Sequence, residues 1–289
     1  MLQIGLRAHD YGKLPPEQLA DTLAPFNPAS IQLALAKAFP GAPPPSTLNS
    51  GYARSIGDMF SRRGISIAVL GCYINPVHPD AAERENMLRY FEEHLRFARD
   101  FNCPIVGTET GSPDPEGSWH PDTQKPETFD LLCRSLERLL TCAERYGSIV
   151  GIEPVAEKHT IATIEKMTKL LERFSSPSLK VIYDPVNLIP QSGLTEDQEA
   201  FFTCAFNSFG DHIVAIHAKD FRMEGGRKSG ALPAGTGSLD YAALLRLILQ
   251  RKPGIAILLE NNNPLQVRES MGFLHALAQT LRPASSSPR

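Results

Sequence analysis

Four short apolar, β-rich runs in the second half of the chain each end on a residue that can bind a metal. The runs are GIEPV, VIYDPV, AIHAKD and AILLEN, and the residues are Glu153, Asp184, His217 and Glu260. Successive runs are one helix-length segment apart, the last gap being somewhat longer. Side chains so far apart in sequence meet only if the strands are parallel and their C-terminal ends share a face. That arrangement is a (β/α)8 TIM barrel, an α/β fold whose active site sits on that face. Carboxylates at strand ends in apolar surroundings are costly unless a cation compensates them. Two Glu, one Asp and one His therefore predict a mononuclear divalent-metal site. The oxygen-rich set suits Mn²⁺ first, then Mg²⁺ or Co²⁺. Zn²⁺, which in structural sites prefers Cys and His, fits less well.

The rest of the chain follows the same pattern. Strand-like runs at 2–9, 30–36, 65–71, 104–109, 148–153, 180–184, 213–217 and 255–260 alternate with helical patterns, the sign of parallel α/β architecture. The clearest helices are expected at 80–101, 127–146, 160–174, 196–209, 238–251 and 265–281. In 127–146 the apolar positions Leu131, Leu132, Leu136, Leu139 and Leu140 recur at helical spacing and form one face. Ser238, in GTGSLDY, is the expected N-cap of the seventh helix. The second unit is the least regular, because FPGAPPPSTLNSG places a long loop before its helix. The loop after the fourth strand, GSPDPEGSWHPDTQKPE, is also long, as lids often are.

A length of 289 residues suits one such barrel, so a single domain is expected over 1–282, with PASSSPR as a flexible tail over 283–289. The net charge of −3 comes without a basic stripe, which argues against nucleic acid as a partner. No apolar run approaches the roughly 18 residues of a membrane span, and MLQIGLRAHD reads as a strand rather than a signal peptide. A cytoplasmic protein is the expectation. The five cysteines are odd in number and contain no CxxC pair, so neither a disulfide framework nor a zinc knuckle is indicated.

The two glutamates carry the chemistry. Coming from the fifth and eighth strands, Glu153 and Glu260 can flank a bound sugar on two sides. One removes a proton from a carbon next to a carbonyl, and the other returns a proton to the opposite face. The metal polarises the oxygens and stabilises the enediolate. Both carboxylates then need pKa values moved towards neutrality, which burial provides.

In these contexts the order Glu–Asp–His–Glu resembles the xylose isomerase-like TIM-barrel superfamily, and within it the sugar phosphate isomerase/epimerase group. The resemblance is densest in VGTETGS, GIEPV, VIYDPVNL, IHAKDFR, GTGSLDY and LLENN. It implies that Glu153, Asp184, His217 and Glu260 bind the metal, that the two glutamates double as acid and base, and that Arg222 contacts substrate oxygens. It also implies a small-molecule sugar substrate and a homo-oligomer, dimer or tetramer. One position departs from the pattern. Asn187 stands in DPVN where many members carry histidine, and an amide can hydrogen-bond a hydroxyl but cannot titrate. That departure, with Glu109 where a histidine is expected, also argues against the endonuclease IV branch and its trinuclear zinc cluster.

Further candidates stand beside alternatives. Glu109, at the end of the fourth strand, is expected to point into the pocket or to bond nearby backbone amides. Trp119 and His120 can form a lid that stacks on a sugar or simply pack within their loop. His9 ends the first strand. Lys219 and Asp220 form an orienting ion pair, or Lys219 contacts substrate. Arg222, Arg227 and Lys228 in KDFRMEGGRKSG can hold a phosphate or be solvated.

The expected activity is a metal-dependent sugar isomerase or epimerase. The alternatives are a dehydratase of an inosose or dehydroshikimate type on the same ligands, phosphodiester cleavage of damaged DNA, and a barrel that binds sugar without turnover.

Overall fold

The computed structural model describes residues 2–281; the tail expected over 283–289 lies outside them. The elements run β1 (Gln3–Arg7), α1 (Pro16–Leu23), β2 (Ser30–Leu33), α2 (Leu35–Ala38), α3 (Ser50–Ser61), β3 (Ser66–Gly71) and α4 (Ala81–Phe97). They continue β4 (Ile105–Glu109), α5 (Pro126–Tyr146), β5 (Ile149–Glu153), α6 (Ile164–Arg173), β6 (Leu179–Tyr183), α7 (Pro185–Leu188), α8 (Gln198–Phe209) and β7 (Ile213–Ala218). The last are β8 (Asp220–Glu224), β9 (Arg227–Leu232), α9 (Tyr241–Arg251), β10 (Ala256–Leu259) and α10 (Val267–Thr280).

All eight expected strands are present and parallel, and they close into a barrel in the order β1, β10, β7, β6, β5, β4, β3, β2. Closure comes from β1, which pairs with β10 on one side and β2 on the other. Inside the barrel a small core of Val69, Ile182, Ala215 and Leu258 is fully buried. Space there is tight. A Cβ on Gly107 would lie 2.5 Å from Ile182 Cδ1 and 2.9 Å from Val69 Cγ1, and one on Gly151 3.0 Å from Ile182 Cδ1. These glycines make room for Ile182 rather than relax the backbone.

The main core lies between the strands and the helical layer. On α5, Leu132, Leu136, Leu139 and Leu140 are buried as their spacing predicts, while Leu131 is only partly covered. Each fully buried leucine contributes about 1.5–3 kcal/mol. Side-chain caps start the helices: Asp80 accepts from the amides of Ala82 and Glu83 before α4, and Asp197 from that of Ala200 before α8. The cap of α9 is Asp240, which accepts from Ala243, and not Ser238, whose own amide donates to Phe221 O.

The sequence reading ran the second strand into the single turn α2 and missed two further elements. The segment read as a basic loop after the seventh strand is the antiparallel hairpin β8–β9, mostly exposed. The second is α7, a single turn capped by Asp184. The five cysteines are free; Cys72, Cys103 and Cys133 are buried. Among the described residues no helix is long and apolar enough to cross a membrane.

Candidate active site

Strand periodicity builds the site. Side chains alternate across a strand, so a residue two positions beyond an interior one also faces the barrel axis, one layer higher. Asp184 stands two beyond Ile182, His217 two beyond Ala215, and Glu260 two beyond Leu258. Glu109 and Glu153 stand two beyond Gly107 and Gly151, and they are paired in register across β4 and β5. The interior apolar layer thus carries a polar layer at the C-terminal mouth.

That layer is closely packed. His217 Nδ1 lies 3.4 Å from Glu153 Oε2 and 3.3 Å from Glu260 Oε1. Donor atoms of Glu153, Asp184 and His217 all fall within 4.8 Å of one another. Ligands sharing one cation at about 2.1 Å stand about 3–3.4 Å apart. The four side chains are at most 4 % exposed. His217 Nε2 contacts Gln32 Oε1 at 2.7 Å. An amide oxygen only accepts, so Nε2 carries a proton; Nδ1 faces the carboxylates and offers them a proton or, once deprotonated, a lone pair to a cation, as in metal-binding histidines with an orienting partner. Nδ1 is buried without a hydrogen-bond partner. Asp184 Oδ2 lies 2.8 Å from Lys219 Nζ, an ion pair that compensates it in part. A buried, unpartnered imidazole nitrogen inside an acidic cluster fits a divalent cation.

The electrostatics are those of a crowded buried cluster. Burial opposes charge on His217, but Glu153 and Glu260 outweigh it and raise the imidazole to about 9. The negative field that favours a proton at Nδ1 also favours a metal ion. Burial likewise opposes charge on Lys219, yet Asp184 and Glu260 outweigh it and push the ammonium up. Burial raises Asp184 despite Lys219. Glu260 moves the other way from expectation. Burial would raise it, but His217, Lys219 and Arg7 together hold it well below the usual carboxylate range. Lys219 donates to Glu260 Oε2 at 3.0 Å, and Arg7 Nη1 lies 3.0 Å from Oε1.

The other predicted residues divide. Asn187 joins the cluster: its Nδ2 donates to Glu153 Oε1 at 2.6 Å, and its backbone amide donates to Asp184 Oδ1 at 2.9 Å. Lys219 is within it too, but its partners are Asp184 and Glu260 rather than Asp220. The Asp220 carboxylate instead accepts from the amides of Phe221, Gly235, Gly237 and Leu239, which fixes the turn before α9. Glu109 is raised by burial and meets His159 Nε2 at 3.5 Å. His9 lies edge-on to Tyr73, ring centroids 6.1 Å apart.

Arg222 is exposed on the hairpin, and its hydrogen bond is to Thr236 O at 2.6 Å. Trp119 is 64 % exposed and, among the described residues, stacks on no ring or cation. Two clefts in the outer helical layer, of about 680 and 920 Å³, contain none of these residues. The polar chemistry is at the barrel mouth.

Arg7, Gln32 and Tyr73 were not singled out from the sequence. The same count of two would have found Arg7 above Gly5 and Tyr73 above Gly71. Gln32 is the one polar side chain inside the apolar run IQLALA.

The sequence profile of the xylose isomerase-like TIM barrel matches residues 29–277. Similar solved structures include an L-ribulose 3-epimerase, 12% identical with a TM-score of 0.74 and both chains fully covered. The 3-keto-D-glucoside 4-epimerase of E. coli is 15% identical with a TM-score of 0.71, covering 96% of this chain and 100% of that one. A xylose isomerase-like TIM barrel protein from Mycobacterium smegmatis in complex with magnesium is 17% identical, TM-score 0.70, covering 96% and 95%. No curated protein sequence matches the chain.

Proposed function

The chain belongs to the xylose isomerase-like TIM-barrel family, and from that premise we propose that it is a divalent-metal-dependent sugar isomerase or epimerase. The observation that carries the reading is the placement of Glu153 and Glu260 on either side of His217 Nδ1, 3.4 and 3.3 Å from it. In barrel order β5 and β10 bracket β6 and β7, so the two glutamates close an arc whose middle is Asp184 and His217. Epimerases among the structural neighbours support the reaction class.

Glu153, Asp184, His217 and Glu260 would hold the cation, Mn²⁺ by preference, which when bound polarises a substrate oxygen and acidifies the adjoining C–H. Glu260, held ionised by its pairs with Arg7 and Lys219, and Glu153, held by the neutral Asn187 amide, are assigned as the acid/base pair, one taking the proton and the other returning it from the opposite face. Lys219 and Arg7 fix the Glu260 oxygens, and Asn187 and Lys219 do the same for Glu153 and Asp184. The polar layer sits above a fully buried apolar one.

The test is product analysis with Mn²⁺-loaded protein and a panel of ketoses and inososes. A new product of unchanged mass supports the reading. A product lighter by one water would replace it with a dehydratase.

A further inference from the structure

The strand tops divide the barrel mouth by charge. β4, β5, β6 and β10 lead into Glu109, Glu153, Asp184 and Glu260. β1, β2 and β3 lead instead into Arg7 and His9, with Asp10 taken up by Arg7, and into Lys37 and Tyr73.

The cations on the mouth differ in what already occupies them. Lys219 lies between Asp184 and Glu260. Arg7 is held by Asp10, Asn261 and Glu260. On the hairpin, Lys228 Nζ donates to Val186 O and Ile189 O, and Arg222 to Thr236 O. Lys37 Nζ is 3.7 Å above the Tyr73 ring, and among the described residues it meets no carboxylate or carbonyl at bonding distance.

The groups in closest contact with Tyr73 are donors. Gln32 Oε1 is used by His217, so Gln32 Nε2 faces Tyr73 and donates to its hydroxyl at 2.8 Å. The tyrosine proton is therefore not used by Gln32 Nε2 and is left to donate elsewhere. His9 stands at the ring edge with Nδ1 buried and unpartnered. Burial, reinforced by Arg7 and Lys37, pushes His9 down to about 3, so it is neutral and offers one N–H. Arg7 lies at the base of this side. Glu109, Glu260 and Glu153 act on Lys37 and Tyr73 only from across the mouth, with no carboxylate among the described residues in bonding contact. A cation, a hydroxyl and an imidazole left without a bonded anion are what a carboxylate or phosphate would complete.

We propose that the β1–β3 rim is an anion subsite and that the substrate is an acidic sugar derivative. Its carboxylate or phosphate sits on Lys37 with the Tyr73 hydroxyl and His9 as donors, and its carbonyl end faces Glu153 and Glu260. The carbonyl half of this statement rests on the isomerase or epimerase reading; the anion half does not.

The test is calorimetric binding to the Mn²⁺-loaded full chain at fixed ionic strength. The probes are the four D-ketohexoses, their 6-phosphates and the matching keto-uronates. At least one anionic probe is expected to bind tenfold or more tighter than its neutral parent, and the phosphate and uronate arms tell which anion. Lys37→Met should reduce that preference at least tenfold, and Lys37→Arg should retain most of it. No anionic preference in the native chain, or a preference that survives in K37M, overturns the subsite. Deuterium exchange at the carbon next to the carbonyl is read on the same mixtures. Exchange without anion preference refutes only the subsite; anion preference without exchange refutes only the epimerase reading.

Discussion

At the scale of single residues, His217 and Lys219 hold the acidic cluster together when no metal is bound. His217 is raised to about 9, so below that pH its proton competes with a cation for the same carboxylates. Mn²⁺ affinity is expected to fall by up to about tenfold per pH unit below that value, with protons released on binding. Calorimetry in buffers of different ionisation heat checks both. Gln32 fixes the histidine tautomer, so Gln32→Leu should weaken Mn²⁺ binding by about 10–100-fold while circular dichroism stays native. Removing Lys219 leaves Asp184 and Glu260 buried with less compensation. Lys219→Met should cost about 3–5 kcal/mol in metal-free protein, most of it regained with excess Mn²⁺, as read by urea unfolding.

At the scale of elements, what the sequence revealed follows from burial. A parallel barrel strand is covered on both faces, so it appears as an unbroken apolar run, and all eight were legible. The hairpin β8–β9 is covered on neither side for most of its length, and KDFRMEGGRKSG carries no such run. Ser238 and Asp240 are both good caps by type. The choice between them is tertiary, because Asp220 fixes the turn by gripping the amides of Gly235, Gly237 and Leu239. The four ligand-type residues were legible because each ends an apolar run. Lys37 was not, since it lies past the end of β2 and acts only through its neighbours, and Tyr73 needed the count of two from Gly71. The interior layer offers its own test. Gly107→Ala pushes a Cβ to 2.5 Å from Ile182 Cδ1, and overpacking of this kind costs about 1–3 kcal/mol. Adding Ile182→Val should recover part of that loss, a coupling that a double-mutant cycle in urea would measure.

At the scale of the whole molecule, acid stability follows from histidines buried in neutral form. Burial and the nearby Lys158 push His159 down to about 4, against about 6.5 in an unfolded chain. Its contribution is fully present above the unfolded value and is lost as pH falls towards 4, by up to about 3 kcal/mol. His94, buried on α4, is lowered in the same sense. The difference in stability between the native chain and His159→Gln should therefore change between pH 7 and 4.5, in favour of the variant at the acid end. A difference constant with pH would refute this assignment.

The same barrel carries the central claim, that Glu153 and Glu260 exchange a proton with a sugar carbon. Its most direct test is deuterium wash-in, with Mn²⁺-loaded native chain, Glu153→Gln and Glu260→Gln each incubated with ketoses, inososes and their phosphates in D₂O and read by NMR. The account predicts label at one carbon next to the carbonyl with the native chain, and no epimerised or isomerised product with either variant at equal Mn²⁺ loading. Epimerised or isomerised product that persists in either variant, or no label from the native chain on any compound with Mn²⁺ bound, would contradict it.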